Sequence, residues 1–225
     1  MLIFGATGMV GQGALRACLA AQDVEAVMAV GRTATDTTHP KLHNLLVPDL
    51  FDVTTYESQL TGFDACLFCL GVTSAGMTEE AYTRLTLTLT TAVAERLAQL
   101  NPTMAFIYVS GSGTDSTERG RSMWARVKGR TENLLLQMPF RAAYMLRPGF
   151  IVPLDGIKSK TRSYRIFYSV LSPILPLLHS AFPKWILTTR ELGEAMLILA
   201  RSGAPKQVLE AADIRDLLNT KNPRK

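Results

Sequence analysis

The first eleven residues, MLIFGATGMVG, constrain this chain most: an apolar run, Leu2-Ile3-Phe4, meets Gly5, Gly8 and Gly11 and passes into a helical pattern. That order reads as a strand, a tight turn and a helix N-terminus. Gly5 lets the chain turn sharply off the strand, and Gly8 lets bare backbone approach a pyrophosphate held on the amides and positive dipole end of the next helix. Gly11 would let that helix lie close on the sheet. The spacing is G-x-x-G-x-x-G, one residue longer in its first gap than the general dinucleotide fingerprint. Nucleotide binding on an α/β scaffold is the expectation.

The rest of the chain supplies alternating elements of the kind that build a doubly wound parallel sheet. Strands are expected over Glu25 to Val30, His43 to Val47, Ala65 to Leu70, Met104 to Val109 and Ala142 to Leu146, with helices over Val10 to Ala21, Thr78 to Leu100 and onward from Met123. The threonines at Thr86, Thr88, Thr90 and Thr91 weaken the second of these helices, so a strand over Leu85 to Thr91 is the alternative there. Glu191 to Ala200 reads as a closing helix, and Val208 to Leu218 as a last short strand and helix. With 225 residues, 47% of them hydrophobic, the chain suits one domain: residues 1–150 a nucleotide-binding core, residues 151–225 a small, mostly helical extension completing the substrate side.

Several function classes are disfavoured. Cys66-Leu-Phe-Cys69 looks like a redox or metal pair, but it falls inside an apolar strand, where residues three apart point to opposite faces. His39, His43 and His179 lack metal spacing, so no metal site is expected. A net charge of +5 without basic-aromatic repeats or a helix-turn-helix signature does not point to nucleic acid. The glycine loop leaves no room before it for a signal peptide, and three cysteines suit a reducing compartment, so a cytoplasmic location is expected. The apolar stretch from Ile166 to Trp185 is interrupted by Pro173, Pro176 and Pro183 and falls short of the ~20 uninterrupted residues of a membrane span. Residues 158–185 instead suggest a lid over the substrate pocket, an oligomer face or a peripheral membrane contact.

In order along the chain, GATGMVG, Asp49-Leu50, the CLG of Cys69 to Gly71, the VSGSG of Val109 to Gly113, Lys128 and the RPG of Arg147 to Gly149 resemble the motifs of extended and atypical short-chain dehydrogenase/reductases. The nearest look is to small atypical members, epimerase-like or related to the Tat-interacting protein. The resemblance implies a Rossmann fold, with Gly5, Thr7, Gly8, Met9 and Val10 on the cofactor phosphates and Asp49 and Leu50 against the adenine. It further implies Leu70, Gly71, Pro148, Gly149 and Phe150 beside the cofactor, and Lys128 on the nicotinamide ribose. Asp49 reads equally as a cap for the turn that follows. Arg32, just past the second strand, stands where an acidic residue takes the ribose hydroxyl of NAD and an arginine pairs with the 2′-phosphate of NADP, so NADP(H) is expected over NAD(H).

The resemblance breaks at one place. The family's catalytic set is a Ser after the fifth strand, a Tyr, and a Lys four residues after the Tyr; here the residue four before Lys128 is Trp124. An indole N–H is no acid or base near neutral pH, so the usual proton relay is missing. Ser110 and Ser112 both remain open as the serine facing substrate, and Thr114 or a water could also polarise a carbonyl. Two readings follow: an NADP(H)-dependent oxidoreductase or epimerase-like enzyme on a carbonyl or alcohol whose identity the sequence does not give, or a catalytically degenerate NADP(H)-binding regulator or scaffold.

Overall fold

The computed structural model describes residues 1–157 and 186–221. Its first half runs β1 (Leu2–Phe4), α1 (Met9–Ala20), β2 (Val27–Gly31), β3 (Leu42–Leu46), the short α2 (Glu57–Leu60), β4 (Ala65–Phe68), α3 (Glu79–Thr83) and α4 (Leu89–Leu100). There follow β5 (Ala105–Val109), α5 (Met123–Gln137), β6 (Ala142–Arg147), β7 (Phe150–Val152), β8 (Ile186–Thr188), α6 (Thr189–Ser202), β9 (Val208–Glu210) and α7 (Ala211–Lys221). Seven strands pair in parallel in the order β3-β2-β1-β4-β5-β6-β9, and β7 and β8 form a separate two-stranded parallel pair. This is the doubly wound Rossmann arrangement that the alternation of elements predicts.

Strand alternation divides the core into two layers. Ile3, Leu67, Ile107 and Leu146 face one way and pack against Ala14 and Leu15 of α1 and Leu192, Ala195 and Met196 of α6. Leu2, Phe4, Phe68, Phe106 and Tyr108 face the other way, against Val93 and Leu97 of α4 and Leu135 of α5. Cys66 belongs to the second layer and Cys69 packs against the first, so the two sulfurs of the C-x-x-C lie on opposite faces and both thiols are free. Burial in apolar surroundings pushes both thiols up, which leaves them inert.

The threonine-rich stretch is helical. Thr78 caps it by accepting from the Ala81 amide, and between α3 and α4 the residues Arg84–Thr88 widen into one π turn without breaking the helix. The hydroxyl of Thr91 bonds back to the Leu87 carbonyl at 3.0 Å, so this threonine satisfies itself within the helix. Strand β4 stops at Phe68, short of the expected Leu70: the Cys69 amide still bonds the Phe4 carbonyl, and the chain then peels away past the glycine turn.

One close approach has no counterpart in the sequence reading. Helices α1 and α6 pack backbone against backbone: a Cβ on Gly13 would stand 2.2 Å from the Thr189 carbonyl oxygen, and one on Gly193 2.5 Å from that of Gly13. Gly11 likewise abuts the turn rather than the sheet, since its Cβ would lie 2.1 Å from the Gly5 carbonyl oxygen. Residues 158–185, expected as lid, oligomer face or membrane contact, lie outside the described residues, and among those described no helix is long and apolar enough to cross a membrane.

Gly13→Ala is expected to destabilise the fold by about 1–3 kcal/mol in urea unfolding, the usual range for forcing atoms into a packed core. Gly31→Ala, whose Cβ meets only the Thr33 carbonyl oxygen at 3.9 Å, is expected to stay within about 0.5 kcal/mol of the parent.

Candidate active site

The chain winds outward from β1 through β2 to β3, then restarts on the other side of β1 with β4, so the strand order reverses between β1 and β4. Ligands of open α/β sheets sit at the carboxyl end of such a switch point. Gly5 holds the turn there at φ +80°, in the left-handed region, and its missing Cβ would otherwise stand 2.9 Å from both the Cys69 carbonyl carbon and the Leu70 nitrogen. The glycine turn therefore packs directly against the Cys69–Leu70 backbone at the carboxyl end of β4.

Helix α1 starts behind Gly8, with no side chain capping it and no acidic residue in its first turn. Its leading amides and dipole are thus directed at the crevice without an internal acceptor, which fits a phosphate group. The Gly8 amide bonds the Gly5 carbonyl at 2.9 Å, and the Gln12 side chain donates to the Thr7 carbonyl at 3.2 Å, so the turn is fixed before any ligand arrives. Met9, at the helix start, packs in one cluster with Phe150, Val152 and Ile186, which brings two predicted cofactor contacts, Met9 and Phe150, together.

At the other end of the crevice Arg32 is exposed directly after β2. Asp49 accepts the Phe51 amide at 2.9 Å, the cap reading of that residue, while Leu50 is buried in the second core layer. The guanidinium of Arg84, at the start of the π turn, lies 5.2 Å over the Phe51 ring.

Beyond β5 the loop is tied to the end of β6: the Ser110 amide donates to the Leu146 carbonyl at 2.7 Å and the Ser112 amide to the Pro148 carbonyl at 3.0 Å. The two serines are therefore held beside the Pro148 to Phe150 turn, but differently. Ser110 is buried and shares a 3.0 Å hydrogen bond with Thr114, whereas Ser112 is exposed. Trp124 sits half-buried next to this loop, with a Cβ on Gly113 falling 3.5 Å from its Cη2, and it packs on Tyr82, Leu87 and Val127.

One turn further along α5, Lys128 donates to the Tyr108 hydroxyl at 3.4 Å, with its Nζ 5.1 Å above the same ring. Burial pulls the ammonium down from its ordinary 10.5 to about 8, with Glu132 opposing the shift. Burial also drives the Tyr108 phenol upward, so it stays protonated. The sequence reading named Lys128 and missed Tyr108, because the contact joins a helix to a strand 20 residues away.

A buried ion pair joins two residues that nothing local connects, Glu132 of α5 and Arg147 of β6. Arg147 Nε donates to the Glu132 carboxylate at 3.0 and 3.1 Å and Nη2 donates to it at 2.5 Å, with Glu132 fully buried and Arg147 only 8% exposed. The remaining guanidinium donors reach Glu210 on β9 at 3.1 Å and the Ser116 hydroxyl. One arginine thus fastens α5, β6, β9 and the loop after β5.

No protein-family model and no curated relative matches the sequence. Solved structures do match. The Bordetella bronchiseptica enzyme WbmF in complex with NAD+ superposes with a TM-score of 0.66 at 15% identity, over 100% of this chain and 79% of that one. A UDP-N-acetylglucosamine 4-epimerase from Methanobrevibacter ruminantium M1, in complex with UDP-N-acetylmuramic acid, gives 0.69 at 12% identity over 100% and 82%. A short chain dehydrogenase family protein from Francisella tularensis gives 0.65 at 12% identity over 94% and 97%.

Two outcomes follow from the buried charges. Glu132→Ala removes the buried partner of Arg147 and leaves it only Glu210 and the Ser116 hydroxyl, which is expected to cost about 3–5 kcal/mol in chemical unfolding, most of it recovered when Arg147 is also replaced by Met. Lys128 binds its proton less tightly folded than unfolded, so its penalty on stability is full below pH 8 and fades as pH rises towards 10.5. Lys128→Met is therefore expected to raise Tm near neutrality, with an advantage that shrinks across that alkaline window in a thermal melt series.

Proposed function

We propose that this chain, which has an extended short-chain dehydrogenase/reductase-like Rossmann fold, is an NADP(H)-binding oxidoreductase or epimerase-like enzyme acting on a carbonyl or alcohol. The observation that carries the reading is the uncapped α1 N-terminus behind the Gly5 turn at the switch point, with Lys128 and the serine loop on the same carboxyl side of the sheet. The presence of NAD+ in WbmF supports a nicotinamide dinucleotide. Arg32, exposed past β2, is what favours the 2′-phosphate form.

In this reading the Gly8, Met9 and Val10 backbone binds the pyrophosphate, Thr7 borders it, and Asp49 and Leu50 bound the adenine pocket. Leu70, Gly71, Pro148, Gly149 and Phe150 line the nicotinamide half, and Lys128 holds its ribose. The dinucleotide, when bound, supplies the hydride chemistry that no side chain offers. Ser110, through its bond to Thr114, or the exposed Ser112 polarises the substrate oxygen. Trp124 contributes a flat apolar wall and no proton. Losing a tyrosine acid at that position forgoes ~10²- to 10⁴-fold of rate, while orientation of the reactants still accelerates hydride transfer.

A specific observation favours a second reading. Trp124 is built into an apolar cluster with Tyr82, Leu87 and Val127, as a packing residue would be, and this suits a regulator or scaffold that binds NADP(H) without turnover. Titration with NADPH and NADH, followed by tryptophan fluorescence, tests the shared premise. Tight NADPH binding with quenching lost in Trp124→Phe is expected, and Arg32→Ala is expected to weaken NADPH about tenfold, the cost of one charge-assisted contact, and to leave NADH unchanged. A carbonyl screen then separates the readings: NADPH oxidation by the native protein supports the enzyme, and turnover gained only by Trp124→Tyr supports the regulator.

A further inference from the structure

We propose that Tyr108 is the positioning residue of Lys128: from β5 it supplies the phenol contact that Trp124, one turn before the lysine, has no atoms to make. The inference rests on the dinucleotide-binding reading of this cleft and concerns how its lysine is held.

Lys128 Nζ stands 5.1 Å over the Tyr108 ring and donates to its hydroxyl at 3.4 Å, so one side chain offers both a π face and an acceptor. The carboxylate one turn further on, Glu132, takes three hydrogen bonds from Arg147, and no ion pair joins it to Lys128 among the described residues. Tyr108 is thus the neutral partner that a buried ammonium needs. The phenol is itself braced. Tyr108 is 1% exposed, its ring lies 6.1 Å from Phe68, and Tyr82 stands near enough to affect its titration.

Tyr82 interacts in turn with Thr86 on the π turn between α3 and α4. Such turns recur at functional sites because they re-aim a few side chains without ending the helix. The groups facing Lys128 are Tyr108 from β5 and Glu132 from its own helix, with Tyr82 behind Tyr108. The hydroxyl accepts from the ammonium and so favours the charged form, while the ring alone would hold the lysine more loosely.

The test compares the full chain with Tyr108→Phe, which keeps the ring and removes only the oxygen. Lys128 acylation by an amine-reactive reagent is followed against pH by peptide mass spectrometry, with and without NADPH. The parent is expected to label with a midpoint near 8. In Tyr108→Phe the midpoint is expected to fall by about one pH unit, the size of one lost hydrogen bond to a charged group, and NADPH affinity to fall about three- to tenfold. An unchanged midpoint in a variant with the parent's Tm overturns the proposal and leaves Tyr108 as packing. Failure of the parent to bind NADPH or NADH would overturn the dinucleotide reading instead, and the labelling midpoint would still decide whether Tyr108 holds Lys128.

Discussion

Glu132 and Arg147 bury two opposite charges at the carboxyl end of the sheet, and the site depends on how completely they satisfy each other. A charge in a low-dielectric core is tolerated only when its hydrogen-bonding capacity is filled. Arg147 meets that condition by spending its planar fork on a helix, an edge strand and a loop at once: Glu132, Glu210 and Ser116. Because Glu132 sits one turn beyond Lys128 on α5, the same ion pair fixes the rotation of that helix and hence the direction in which Lys128 and Trp124 project.

Glycines set the other wall of the crevice by subtraction. Gly5 must occupy the left-handed region and must also leave room for Cys69 and Leu70, so two independent constraints fall on one residue. Gly11 lets the helix start close on the turn, and Gly13 and Gly193 let α1 and α6 touch along their backbones. The helix that points at the crevice is thereby held from the turn and from the opposite helix alike, and backbone amides aimed at a ligand need that rigidity to act as preorganised donors.

Between these walls lies Lys128, with Trp124 one turn before it on α5. Burial weakens the lysine's proton affinity, the neighbouring carboxylate is committed to Arg147, and its hydrogen bond goes to a phenol on β5. The site therefore keeps a cation at its floor while its tryptophan wall is apolar. Withdrawing that cation from water costs stability.

Local chemistry was enough to read the glycine turn, the strands and the helices, because each rests on a short-range rule: glycine's conformational freedom, two-residue alternation, 3.6-residue periodicity; Lys128 stood out only through the family resemblance. The same alternation set Cys66 and Cys69 on opposite faces. Asp49 was legible as a cap because an Asx turn spans only two residues. What the sequence could not reveal was every contact between distant positions. Tyr108 looked like one more apolar strand residue until folding set it under Lys128, and Glu132 and Arg147 stood 15 residues apart with nothing local to join them. The choice between Ser110 and Ser112 also waited on the fold for its geometry, since only the hydrogen bonds to β6 turn one hydroxyl inward against Thr114 and leave the other exposed. Side-chain patterns carry the period of an element, but the partner across a packed interface is decided by where the other elements come to rest.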